Sequence, residues 1–359
     1  MLWILLGCQR DPNKIDENQL QSETGLEIDT GIAEDSNTTD SPDSGNTDSG
    51  NTDSGNIDTD PVEPPKIVRF VALGDGGEGN QTQINVGLAI ADICAQKTDE
   101  HDGCEFALYL GDNIYDVGVS SVLDDQFHDK FENPYLPLDF PFYVVLGNHD
   151  AGGWGSGIEM YKTEFQIDYT NYSSKWTMPD AYYDFTVEHV SFFGLDTNAL
   201  MWDPWFGTGS DQEIWLPQAL AGSLSDWKIA FGHHPYVSNG QHGNAGSYEG
   251  LDWITWPVAD VPLGAAVKDF MDNHLCGKVD VYICGHDHNR QWLEPSCGTE
   301  FIVSGAAAKN TDLQNRGNPT KFEDDSASGF MWIEIQDNCL TGEFYDESGN
   351  LDFSHQICK

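Results

Sequence analysis

Positive charge is what this chain has least of. Its 359 residues include 16 Lys and Arg against 60 Asp and Glu, a formal net charge of −44. A surface so short of cations argues against binding nucleic acid, or an anionic membrane, through basic patches. Long apolar runs are missing too. Nowhere do about 18 apolar residues follow one another, so no membrane-spanning helix is expected. The acidic stretches show no EF-hand spacing, which removes calcium loops of that type. What is present is material for a sizeable core, 39% hydrophobic and 12% aromatic. The length allows one large domain or two ordinary ones.

The acid is not confined to one tail. Residues 1–60 hold fourteen Asp and Glu and two Lys and Arg, net −12, which leaves −32 to the rest. The chain opens Met1-Leu2-Trp3-Ile4-Leu5-Leu6-Gly7-Cys8, and Leu5 to Cys8 resembles a bacterial lipobox, in which Cys8 becomes the lipidated first residue. Residues 9–65 have no hydrophobic periodicity and repeat Asn-Thr-Asp-Ser-Gly at 46–50 and 51–55. Such a stretch cannot bury enough apolar area to offset its ordering entropy. The expected organisation is therefore a lipoprotein-type signal over 1–8, a disordered acidic linker over 9–65 and a folded domain over 66–359. That arrangement implies export. The chain would be anchored by lipid at a bacterial cell surface or outer membrane, or else secreted. The sequence does not specify an oligomeric state.

From Lys66 onward, short apolar runs end in glycine-containing loops. Ile67–Leu73 ends in Gly74-Asp75, Phe106–Leu110 in Gly111-Asp112 and Phe142–Leu146 in Gly147-Asn148-His149-Asp150. Trp227–Phe231 ends in Gly232-His233-His234-Pro235, and Val279–Cys284 in Gly285-His286-Asp287-His288. Each run reads as a fully buried strand. Further strands are expected at Ala181–Val187, Ser191–Leu195, Phe301–Val303, Phe330–Ile335 and Gly342–Tyr345. Helical stripes lie between them: Ile84, Leu88, Ala91 and Ile93; Leu123, Phe127 and Phe131; Ile214, Leu216 and Leu220; Leu263, Val267, Phe270 and Met271. Alternating strands and helices predict a layered α/β domain, with functional loops outside the carboxyl ends of its strands.

Those loops carry Asp75, Asp112, Tyr115, Asn148, His149, His233, His234, His286 and His288. A lone histidine at a strand end is usually structural; five loops with metal-capable side chains at equivalent strand ends point to metal. Seven or more donors exceed one coordination sphere, so two ions are expected. Asp75 and Tyr115 are hard anionic donors, whereas Asn148, His233 and His286 are neutral. With Asp112 bridging, one pocket suits Fe(III) and the other a divalent ion.

The five motifs, together with Tyr115-Asp-Val-Gly-Val119, Trp176–Tyr183, Trp215-Leu216 and Ser304-Gly305-Ala306, resemble the signatures of purple acid phosphatases, members of the calcineurin-like metallophosphoesterases. The small tartrate-resistant type is the nearest match, over essentially residues 66–350. The resemblance implies a four-layer α/β/β/α sandwich of two mixed sheets, with a binuclear site at strand C-terminal ends. It implies Fe(III) held by Asp75, Asp112, Tyr115 and His288, and divalent iron, zinc or manganese held by Asp112, Asn148, His233 and His286. His233 is preferred over His234 because the family ligand directly follows glycine. His149 and His242, the latter in Asn239-Gly240-Gln241-His242-Gly243, match family histidines that hydrogen-bond the ester and protonate the leaving group. The implied reaction is hydrolysis of a small phosphate monoester by a metal-bound hydroxide. Residues 66–359 are then the catalytic domain. Two departures bear on substrate choice. Gly76 stands where the family often has Trp, and the aromatic segment 198–212 is short where the animal enzymes carry a longer loop. Trp202, Trp205 and Phe206 are equally readable as a rim for an organic leaving group or as aromatics packed on the sheet.

Two other readings of the same residues remain at this point: a phosphodiesterase or nucleotidase on the same scaffold, and a surface binding module that keeps its metals as structure. Of the eight cysteines, Cys8 is assigned to lipid and Cys284 lies inside a buried strand, matching a free family cysteine. Sequence proximity pairs the others as Cys94–Cys104, Cys276–Cys297 and Cys339–Cys358, which an exported setting permits.

Overall fold

The computed structural model describes residues 64–250 and 264–359. The expected signal, Cys8 and positions 9–63 of the expected linker lie outside the described residues, as does Leu263. In chain order the strands are β1 (Ile67–Leu73), β2 (Phe106–Leu110), β3 (Phe142–Val145), β4 (Trp176–Thr177), β5 (Tyr183–Val187), β6 (Val190–Gly194) and β7 (Trp227–Phe231). They continue with β8 (Val281–Cys284), β9 (Arg290–Leu293), β10 (Glu300–Ser304), β11 (Thr320–Asp324), β12 (Gly329–Gln336), β13 (Cys339–Asp346) and β14 (Leu351–Cys358). The helices are α1 (Gln81–Lys97), α2 (Thr163–Tyr169), α3 (Thr197–Phe206), α4 (Ser210–Gly222) and α5 (Ala265–Phe270).

Two seven-stranded mixed sheets result. The first runs β14-β13-β12-β1-β2-β3-β4 and the second β11-β9-β10-β8-β7-β6-β5. In the first, β1 to β4 are parallel and β12 joins β1 antiparallel. In the second, β6, β7, β8 and β10 are parallel. The sheets meet face to face through aromatic residues: Phe70 on β1 sets its ring edge-on to Phe192 on β6, 5.3 Å between centroids. Strand periodicity turns alternate residues of the second sheet to opposite sides. Phe192, Ile229 and Ile283 join the core between the sheets; Phe193, Ala230 and Tyr282 join a second core with Leu200, Leu216, Val267 and Phe270 from α3, α4 and α5. This is the four-layer α/β/β/α sandwich.

The helices depart further from the apolar stripes in the sequence than the strands do from their runs. On α1 the buried residues are Gln83, Val86, Gly87, Ala89, Ile90 and Ile93, while Leu88 is half exposed. Gln83 takes a core position because its amide is saturated: Oε1 accepts from Gly79 N–H and Nε2 donates to the Lys130 carbonyl, each at 2.7 Å. A hydrophobic pattern cannot register a buried amide with both ends satisfied. Leu123 and Ile214 also face solvent, outside the cores that Phe127, Phe131, Leu216 and Leu220 enter. Strands β4, β9, β11 and β14 had no counterpart in the expected set. Neither had α3, which carries Pro204 inside it.

Three disulfides join Cys94 to Cys104, Cys276 to Cys297 and Cys339 to Cys358. Cys284 is a free thiol buried in β8.

Candidate metal centre

The parallel strands β1, β2, β3, β7 and β8 all end at the same edge of the sandwich, so their exit loops converge. Asp75 follows β1 and Asp112 follows β2, each at positive φ (60° and 52°), and His286 follows β8 at φ 70°. That left-handed conformation is uncommon for non-glycine residues and clusters at functional sites. Here the loops are tied side by side by backbone bonds, Asp75 N–H to the Gly111 carbonyl at 3.0 Å and Gly285 N–H to the His233 carbonyl at 3.1 Å.

Two groups of donors result, and they share a residue. Asp112, His233 and His286 present ligand atoms within 4.8 Å of one another, as do Asp75, Asp112 and His288. The remaining candidates close around these. Tyr115 Oη lies 2.9 Å from Asp75 Oδ1 and 3.1 Å from His288 Nε2. Asn148 Oδ1 is 2.9 Å from His233 Nε2, which is itself 3.0 Å from His286 Nδ1. His233 Nδ1 sits 2.9 Å from the Leu110 carbonyl, which fixes the proton there and leaves Nε2 as a lone-pair donor. His234 is not in either group. Its Nδ1 bonds Thr197 Oγ1 at 2.8 Å, and burial first, then the neighbouring His233, holds its pKa well below the usual imidazole value.

The chemistry of this donor set fits cations. Asp75 and Asp112 are buried, 0% and 1% exposed, yet among the described residues their charged partners within 4 Å are only His288 and His233. Two buried carboxylates this close, with no Lys or Arg between them, are strongly disfavoured unless a positive charge joins them. Lys309 lies over the ring face of Tyr115, 3.4 Å from its centroid, and pairs with Glu78 rather than with either aspartate. Burial, then the charges of Asp112 and Asp75, pushes the Tyr115 phenol well above its usual value. Only a strongly Lewis-acidic cation would bring it to phenolate. His286 is held neutral, as a ligand requires, by burial and by the surrounding imidazoles.

Two further histidines, His149 and His242, flank these groups from opposite sides. His149 packs against Tyr115 with its ring tilted, 4.5 Å between centroids, and Nδ1 2.8 Å from the Asp116 carbonyl. Gly155 makes this fit possible, because a Cβ there would stand 2.7 Å from the His149 ring. His242 stacks on His286 at 4.0 Å, and its Nδ1 is paired with Glu249 Oε1. Burial lowers the His242 pKa, but the Glu249 hydrogen bond and the Asp287 charge outweigh it, so the net direction is upward.

Three residues that sequence reasoning did not single out hold the site together. Asp150 accepts from the N–H groups of Gly147, Asn113 and Ile114 and from Gln166 Nε2. Asp287 accepts from His242 N–H at 2.7 Å and from Ser238 Oγ at 2.5 Å. Each carboxylate bolts its own loop to a neighbour. Their signal was present in the sequence: both loops place Asp directly after a histidine, as His149-Asp150 and His286-Asp287. Glu249 carried no such signal.

A model of the calcineurin-like phosphoesterase family matches residues 69–290. Tartrate-resistant acid phosphatase type 5 of Sus scrofa is 27% identical, over 82% of this chain and 88% of the relative. Purple acid phosphatase 4 of Arabidopsis thaliana is 30% identical, over 79% of this chain and 81% of the relative. Among solved structures, GAP50, the anchor in the inner membrane complex of Plasmodium, superposes with a TM-score of 0.63 at 22% identity, over 81% of this chain and 89% of that one. At that identity the likeness is one of fold.

Proposed function

The chain belongs to the calcineurin-like phosphoesterase family and, within it, to the purple acid phosphatases, and from that premise we propose how its residues carry out phosphate-monoester hydrolysis at a binuclear metal centre. The observation that carries this reading is the pair of donor groups joined at Asp112. Asp75, Asp112, Tyr115 and His288 would hold Fe(III). Asp112, Asn148, His233 and His286 would hold divalent iron, zinc or manganese. A bound pair of this kind acidifies water and polarises a phosphoryl group.

The protein's own contribution is positioning and proton transfer. Asn148 is oriented by its Nδ2, which donates to the Gly155 carbonyl at 2.8 Å, leaving Oδ1 turned to the His233 side. His149 and His242 each ride on a ligand of a different ion. They therefore face the substrate phosphate from two directions and hydrogen-bond its non-bridging oxygens. With Nδ1 paired to Glu249, His242 presents Nε2 as the donor that supplies a proton to the leaving oxygen. Export is the compartment most consistent with three disulfides, with Cys8 as the lipid attachment point.

Metal analysis with a visible spectrum tests the assignment. Iron in the oxidised protein, bound by Tyr115, gives a broad visible charge-transfer band, and Tyr115→Phe abolishes it. An unchanged band in that variant would remove Tyr115 from the ligand set.

A further inference from the structure

One cavity of about 430 Å³ opens beside the metal centre, and its two ends differ in chemistry. At one end are Asn148, His242, Glu249 and His286; at the other are Met201, Trp202 and Trp205 of α3. The apolar end is a built surface. Trp202 is fixed by its indole N–H, which donates to the Ser156 carbonyl at 2.9 Å. Trp205 meets it edge-on at 5.4 Å, and Phe206 backs it at 5.7 Å. The helix itself is pinned next to the site, since Asn198 Nδ2 donates to the Gly157 carbonyl at 3.1 Å. Leu200 of the same helix is in the core, yet Trp205 remains 48% exposed. These two indoles are therefore not sheet-packing aromatics; they face the space that leads away from the phosphate position.

Among the described residues the lining includes no Lys or Arg, and Glu249 adds a carboxylate. A charged leaving group such as a further phosphate gains nothing there and is repelled. A flat, neutral ring gains both burial and stacking against indole faces. We propose that Met201, Trp202 and Trp205 form a stacking shelf that selects phosphate monoesters whose leaving group carries a neutral planar aromatic ring. This rests on the reading of the site as a monoesterase. The ring can be attached directly to the ester oxygen, as in an aryl phosphate, or lie beyond a ribose, as in a nucleoside monophosphate.

The test is steady-state kinetics of the metal-loaded full chain with phenyl phosphate, adenosine 5′-monophosphate and glycerol 2-phosphate, for the wild type, Trp205→Ala and Trp205→Phe. Trp205→Ala is expected to raise KM for ring-bearing substrates about 10-fold, with kcat nearly constant, the size of one lost aromatic contact. KM for glycerol 2-phosphate should move by less than about 2-fold, and Trp205→Phe should recover most of the loss. A rise for phenyl phosphate alone places the ring at the ester oxygen; a rise for the nucleotide places it beyond the sugar. Equal shifts for all three substrates, or none, would overturn the shelf. Quenching of tryptophan emission by phenylphosphonate, lost in Trp205→Ala, gives a second readout that needs no turnover. A wild type that binds phenylphosphonate in this way but hydrolyses no monoester keeps the shelf and defeats the monoesterase reading instead.

Discussion

His242 shows how much a single side chain depends on neighbours that are distant in sequence. Its ring is held from one side by His286, its Nδ1 by Glu249 and its backbone by Asp287. His149 is held in a similar way, its ring against Tyr115, its Nδ1 at the Asp116 carbonyl and its backbone N–H donating to Asp112 Oδ1 at 2.9 Å. If His242 is the proton donor, His242→Ala retains both metals and loses roughly 10²–10⁴-fold in kcat. The loss shrinks for esters with acidic leaving groups, which depart without a proton. His149→Ala, if that ring acts mainly on non-bridging oxygens, loses activity to a similar degree for good and poor leaving groups. Equal losses for all substrates in both variants would show that neither ring transfers the proton. His149 stands in a strand-end glycine motif, whereas His242 is a candidate only through the family resemblance. The Glu249 contact is not legible in the sequence, because it depends on how residues 242 and 249 are folded back on each other, with Glu249 N–H donating to the His242 carbonyl.

Among the elements, α3 combines a clear cap with a poor helix sequence. Asp196 Oδ1 accepts from Ala199 N–H at 2.8 Å, and Gln212 brackets the Asp196 backbone from α4. Burial raises the Asp196 carboxyl to about 6, against hydrogen bonds from Ala199 and Asn198 that pull the other way. Above that pH the folded chain holds a buried carboxylate that the unfolded chain, titrating near 3.8, keeps in water. The folded state is penalised there, on the order of 2–3 kcal/mol. The penalty fades as pH falls from about 6 to below 3.8, where both states are protonated. Asn caps a helix about as well as Asp. Asp196→Asn is therefore expected to raise Tm at pH 8 and to lose that advantage by pH 4; a constant difference across this range would contradict the buried charge. The same helix shows why some elements escaped the sequence. Pro204 argues against a helix, and an aromatic run reads as a loop or a strand. Strand β9 hid for another reason: Arg290 and Gln291 are fully buried, Arg290 by pairing with Asp324 and Asp352. Strands ending in glycine and a ligand are legible because burial on both faces makes them mostly apolar runs, broken at most by one charged residue such as Arg69 or Lys228.

At the scale of the molecule, −32 of charge surrounds a centre that must attract phosphate. Much of the scarce positive charge is already engaged: Arg69 pairs with Asp99 and Glu334, and Lys309 with Glu78. The pull of a metal pair is screened beyond about 8–10 Å at ordinary salt. A long polyanion would meet repulsion along its whole length, so short monoesters are expected to be preferred. Added salt should raise kcat/KM for anionic substrates and narrow the gap between them. The measurement is kcat/KM for a short monoester and for a long polyphosphate at several salt concentrations. Preference for the polyphosphate at low salt would contradict the argument.

The three disulfides have a consequence for how the chain matures. Each joins cysteines close in sequence, 10, 21 and 19 residues apart. In the exported chain proposed above, a thread emerging from a translocation pore toward an oxidase would form Cys94–Cys104 correctly by pairing neighbours as they arrive. The middle pair differs, because Cys284 emerges between Cys276 and Cys297. Neighbour pairing there gives the wrong bond until β8 folds and withdraws the Cys284 thiol from reach. Cys297, left without its partner, then competes with Cys358 for Cys339, so reshuffling is expected from Cys276 onward and not at Cys94–Cys104. Cys284→Ser should reach its native bonds in cells that lack a disulfide isomerase, whereas the unaltered chain should accumulate a species linked through Cys284. Equal yields of the two would show that β8 closes before the oxidase acts.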